Sequence, residues 1–78
     1  MMAKKRIGKL VFDDFFWVFD VAFPDGTYFG GIALGQKFEI LNSHGIWIAV
    51  SLQTNGFEPF LQGFDGYGVP VGAFVRII

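Results

Sequence analysis

The stretch Phe23-Pro24-Asp25-Gly26-Thr27-Tyr28-Phe29-Gly30-Gly31-Ile32-Ala33-Leu34-Gly35 carries the reading of the fold. Pro24-Asp25-Gly26 fits a tight turn: proline presets φ, aspartate can accept from backbone two residues on, and glycine accepts positive φ. A hairpin is expected to reverse there. Beyond it, Gly30, Gly31 and Gly35 put three positions without a Cβ in six residues, which suits a bulge, a sharp bend or a close backbone approach. Tyr28 and Phe29 stand directly before that bend.

Working outward, alternation sets the neighbouring elements. Leu10 and Phe12 alternate with Lys9, Val11 and Asp13, giving a first strand that ends at Asp13-Asp14. Phe15 to Phe23 admits two readings. A helical stripe of Phe15, Val18, Phe19, Ala22 and Phe23 could be capped by Asp13 or Asp14. The aromatic and β-branched content and the turn at its end favour a strand, with Phe15, Trp17, Phe19, Val21 and Phe23 on one face and Asp20 opposite. Thr27 to Phe29 should run back antiparallel.

Lys37 to Leu41 points Phe38 and Ile40 inward, and Asn42-Ser43-His44-Gly45 makes the next turn. Ile46, Ile48, Val50 and Leu52 share a face of a strand over 46–53, with Trp47, Ala49, Ser51 and Gln53 opposite. Thr54-Asn55-Gly56 reverses the chain into Phe57 to Gln62, where Pro59 marks an edge strand or a bulge. A glycine-rich loop over 63–72 leads to a closing strand over 73–78, on which Phe74 and Ile78 share a face with Arg76.

Short strands between turn signals predict an all-β fold, a small antiparallel SH3-like barrel of five or six strands, because closure removes exposed edges. At 78 residues one domain is expected: a disordered basic tail over 1–6 and a β domain over 7–78. With 53% hydrophobic residues and eleven phenylalanines, some aromatics should remain outside as a binding or self-association surface. No cysteine is present, so neither disulfides nor thiolate metal sites hold the fold. Lys4, Lys5, Arg6 and Lys9 cluster at the start. That leaves Lys37 and Arg76 against seven acids, a formal −5 over residues 10–78.

The apolar run after the basic residues is too short for a secretory signal, and the uncharged stretch Ile40 to Phe57 is too polar to span a bilayer, so a cytoplasmic protein is expected. No catalytic constellation, cofactor motif or metal-ligand spacing is found. His44 stands in a turn without a nucleophile or orienting partner, Asp13-Asp14 lacks further oxygen ligands in register, and Gly30-Gly31 opens no helix. The reading that remains is a non-catalytic protein-interaction module presenting Tyr28, Phe29, Trp47 and Tyr67 to an unidentified protein partner. Burial in the core competes for Phe29 and Trp47. Two alternatives are a single-stranded nucleic-acid binder using the basic tail, which the acidic body disfavours, and a homo-oligomeric structural protein.

Tyr28-Phe29-Gly30-Gly31-Ile32 with Gly35, then Phe38-Glu39-Ile40-Leu41, Trp47 and Val75-Arg76-Ile77, resembles the pattern of a family of short bacterial proteins of unknown function. These occur largely in Gram-positive bacteria and often on mobile elements. The likeness spans roughly residues 8–78 and implies a compact β fold without implying an activity. Members tend to carry a cysteine where Leu34 stands and a Thr-Arg pair near Val50-Ser51. Neither is present, so a role resting on that thiol or arginine does not carry over.

Overall fold

The structure, a computed structural model, describes residues 4–78. Six strands, β1 (Arg6–Asp13), β2 (Val18–Ala22), β3 (Lys37–Leu41), β4 (Trp47–Thr54), β5 (Pro59–Gln62) and β6 (Phe74–Ile77), form one sheet in the spatial order β2-β1-β6-β3-β4-β5. Every pairing is antiparallel. Laid flat, strands about 4.8 Å apart would put β2 and β5 roughly 24 Å from each other. Instead Leu10, Val21, Ile40, Leu52, Leu61 and Val75, one from each strand, meet in a single buried cluster. The sheet is therefore curled on itself, as a small barrel-like fold.

The inward side chains follow period-2 alternation: Phe38 and Ile40 on β3, Val50 and Leu52 on β4, and Val75 and Ile77 on β6 are buried. The Pro24 hairpin turn forms as its residues dictate. Asp25 Oδ1 accepts from the Thr27 amide at 3.0 Å, and Gly26 takes φ 88° while donating to Phe23 O at 3.1 Å. β5 lies at a sheet edge and opens on Pro59, which has no N–H to leave unpaired. The other edge, β2, is covered by the glycine-rich stretch, whose Phe29 and Ile32 amides donate to Val21 O at 3.0 Å and Phe19 O at 2.7 Å.

Several expectations are corrected. The aromatic segment after Asp14 is neither a helix nor a nine-residue strand: residues 14–17 are a turn and β2 begins at Val18, so Phe15 and Trp17 leave the inward face and stand in solvent. Asp20, expected outside, is buried because residues 29–32 fold over it. Thr27 to Phe29 does run back antiparallel as expected, through the bridge Ala22↔Tyr28 and the bond from the Phe29 amide to Val21 O, without extending into a strand. Ile46 stays exposed because its amide closes a turn onto Asn42 Oδ1 and β4 starts at Trp47. Phe57 lies outside β5 and is fully exposed for the same kind of reason, its amide being held by Asn55 Oδ1.

The disordered tail expected over 1–6 falls partly outside the described residues. Within them, Arg6 already pairs in β1 with Ile77 of β6, and Lys5 Nζ bonds the Glu39 carboxylate.

Where Gly8 of β1 lies against the end of β2, a side chain has no room. A Cβ on Gly8 would lie 2.6 Å from Ala22 O, 2.6 Å from Val21 Cγ1 and 3.0 Å from Phe23 Cδ1. Because one of these neighbours is backbone, relief requires moving a strand. Gly8→Ala should destabilise the fold by about 1–3 kcal/mol, read as a lowered urea midpoint at unchanged slope.

Candidate protein-docking surface

The β1–β2 turn is built by one aspartate. Asp13 Oδ1 accepts from the amides of Phe15 at 2.9 Å and Phe16 at 3.2 Å, which turns the chain out of β1. The reversal closes at Trp17, the one non-glycine among the described residues with positive φ, 55°. For a bulky side chain that conformation costs about 1–2 kcal/mol. Phe15, Phe16 and Trp17 are 80%, 70% and 78% exposed. They are ordered by one another and by the barrel: Phe15 meets Phe16 edge-on at 4.8 Å, and Phe12 meets Trp17 at 5.6 Å and Phe19 at 5.0 Å. On one side of this tip Trp17 and Phe12 join Ile32, Leu34, Leu52 and Pro59 around an apolar cleft of about 540 Å³.

A second cleft, of about 510 Å³, lies between the tip and the glycine-rich stretch, lined by Asp13, Phe16, Asp20, Tyr28, Gly30 and Gly31. Asp20 is only 6% exposed. Its Oδ1 accepts three amides, from Val21 at 2.8 Å and from Gly30 and Gly31 at 2.9 Å each. The two glycines take φ of 110° and 103°, a conformation that L side chains resist, and this lets successive N–H groups converge on one oxygen.

The four aromatics expected to form a site are not gathered into one. Tyr28 is exposed and lines the Asp20 cleft. Phe29, its chain neighbour, packs against the core. Trp47 is half-buried on the outer face of the sheet under the Arg76 guanidinium, 4.3 Å from its ring centroid. Arg76 also bonds Glu39 at 3.0 Å, its cross-strand partner, and Glu39 takes Lys5 as well. Tyr67 is fully exposed in the loop over 63–72, and neither it nor Trp47 lines either cleft beside the tip.

The tip itself, Phe15-Phe16-Trp17, was absent from the sequence-based site. Its signal was the run of three consecutive aromatics, which no alternating strand can bury on one face.

His44 is exposed in its turn, with its amide on Asn42 Oδ1 at 2.9 Å. Among the described residues no three histidine, aspartate or glutamate side chains gather as metal ligands, and no helix is long and apolar enough to cross a membrane.

Comparison with known proteins adds a fold and no activity. No family model matches the chain, and no curated protein does. A solved structure, described only as a protein from Ruminococcus gnavus, superposes with a TM-score of 0.79 at 24% identity. The match covers 92% of this chain and all of that one.

Two outcomes are expected here. Asp20→Ala leaves three amides facing an apolar methyl and should destabilise the protein by about 3 kcal/mol, with faster hydrogen exchange at Gly30 and Gly31. Hydrogen bonds from Lys5 and then Arg76 hold the Glu39 carboxyl below its ordinary value of 4.5. A lowered folded-state pKa means stability that is present above the ordinary value and lost as pH falls through the lowered one. The loss in urea midpoint between pH 7 and pH 3 should therefore be smaller in Glu39→Gln than in the parent.

Proposed function

We propose that this protein is a non-catalytic protein-binding module whose docking element is the aromatic β1–β2 tip. The observation that carries the reading is the exposure of Phe15, Phe16 and Trp17 side by side on a turn tied down by Asp13. Three large aromatics held side by side in water form an apolar surface of low ordering cost. Trp17 supports the same view, since its strained backbone would be relieved by glycine. Tyr28 extends this surface. Trp47, held under Arg76, fits a structural role better.

The nucleic-acid alternative finds less support. Lys5 is paired with Glu39, and Arg6 is paired with Asp25 and stacked on Phe23, so their charge is largely answered within the protein. Self-association has one observation in its favour, since the same apolar tip would serve a second copy. SH3-like character, a cytoplasmic location and kinship with short Gram-positive proteins of mobile elements complete the proposal.

The test is capture from nuclease-treated host lysate with the parent protein and with a Phe15→Ser, Trp17→Gly double variant. Trp17→Gly exchanges an edge contact of about 0.5–1.5 kcal/mol for relief of a similar strain, so the variant should stay folded within about 1 kcal/mol. A protein retained by the parent and lost by the variant is the expected result. Equal retention by both would sink the reading, and a concentration-dependent mass in light scattering that the variant abolishes would replace it with self-association.

A further inference from the structure

We infer that the cleft between the tip and the glycine-rich stretch is a cation pocket that takes a lysine or arginine side chain of the docked protein segment. This rests on the docking reading above and names the chemistry of its partner.

The cleft is sorted by what its groups have left to offer. The Gly30 and Gly31 amides, which could hold an anion, both point at Asp20 Oδ1 and are spent. Asp20 and Asp13 each give Oδ1 to backbone amides, and no donor among the described residues reaches the Oδ2 of either. Asp20 is nine-tenths buried, and what it leaves exposed lines the cleft. Phe16 and Tyr28 line the cleft together with these two carboxylates, and Val18 completes its wall. Carboxylate oxygens without donors and aromatic faces together attract a cation and repel an anion. A cleft of about 510 Å³ accommodates an extended basic side chain. The triple amide anchor fixes the Asp20 carboxylate before any ligand arrives, so little ordering is left for binding.

The experiment is an amide NMR titration of the full chain with N-acetyl-lysine methylamide and, separately, with its neutral isostere N-acetyl-norleucine methylamide. The lysine probe should give saturable shifts at Gly30, Gly31 and Phe16, with a Kd on the order of millimolar that weakens as salt is raised. The norleucine probe should give none. Asp20→Asn keeps an oxygen for the three amides and loses the charge, so it should remain folded and bind the lysine probe at least about tenfold more weakly. Tyr28→Leu, at an exposed position, keeps bulk without the aromatic face and should weaken binding several-fold.

Equal shifts from both probes, no saturable shift from either, or undiminished binding by a folded Asp20→Asn would overturn the inference. Phe15 and Trp17 do not line this cleft. The double variant therefore tests the docking reading independently of the cation pocket, and the two can fail separately.

Discussion

The arrangement of this barrel on its β2 side depends on one carboxylate oxygen. Asp20 lies on the edge strand β2, and its Oδ1 gathers the amides of Val21, Gly30 and Gly31. A charged acceptor buried with three short bonds is stable, whereas the same group without donors would be prohibitive to bury. The bond set therefore determines where the connection between β2 and β3 must run. By drawing residues 30 and 31 across β2, it aligns the Phe29 and Ile32 amides with Val21 O and Phe19 O. The exposed edge of β2 is satisfied by this irregular backbone. Ile32 is carried into the core between the two ends of the sheet. Only residues tolerant of positive φ can present two consecutive amides to one oxygen in this way, which is why the pair is Gly-Gly.

Given that closure, the remaining apolar content has limited room. The inner faces of six short strands are filled by aliphatic side chains and a few phenylalanines, and at Gly8 even a methyl group is excluded. Phe15, Phe16 and Trp17 are displaced outward, but they are displaced together and ordered by Asp13 below them. These three stand together at one turn, beside a cleft lined by the same Asp20 that holds the edge. Structural anchor and candidate ligand group are two oxygens of one side chain.

On the outer face of β3 and β6 the arrangement is of another kind. Lys5, Glu39, Arg76 and Trp47 form a continuous polar ladder across β3, β6 and the start of β4, in which Trp47 packs its ring under a guanidinium. Such a ladder lays the long stems of its charged side chains over the outside of a thin barrel. Two aromatics that look alike in the sequence, Trp17 and Trp47, therefore do different things: one is presented, the other is capped.

Local pattern supplies this chain's material and punctuation. Period-2 alternation in Phe38-Glu39-Ile40 and Ile48-Ala49-Val50-Ser51-Leu52 settles which side chains are inward, because successive residues of a strand must face opposite ways. Pro24-Asp25-Gly26 settles a reversal through its own dihedral preferences, and Pro59, by lacking a donor, restricts its strand to an edge or a bulge. The fate of Phe15 to Trp17 and of Asp20 was decided only by tertiary structure. Alternation assigns two faces but does not say where a strand begins, and two amides bonded to the Asp13 carboxylate moved that start to Val18. Nor does local pattern reveal that residues ten and eleven positions downstream will bring amides to Asp20. An aspartate is read as outward until a donor set is known, and that donor set exists only once the chain has closed over it.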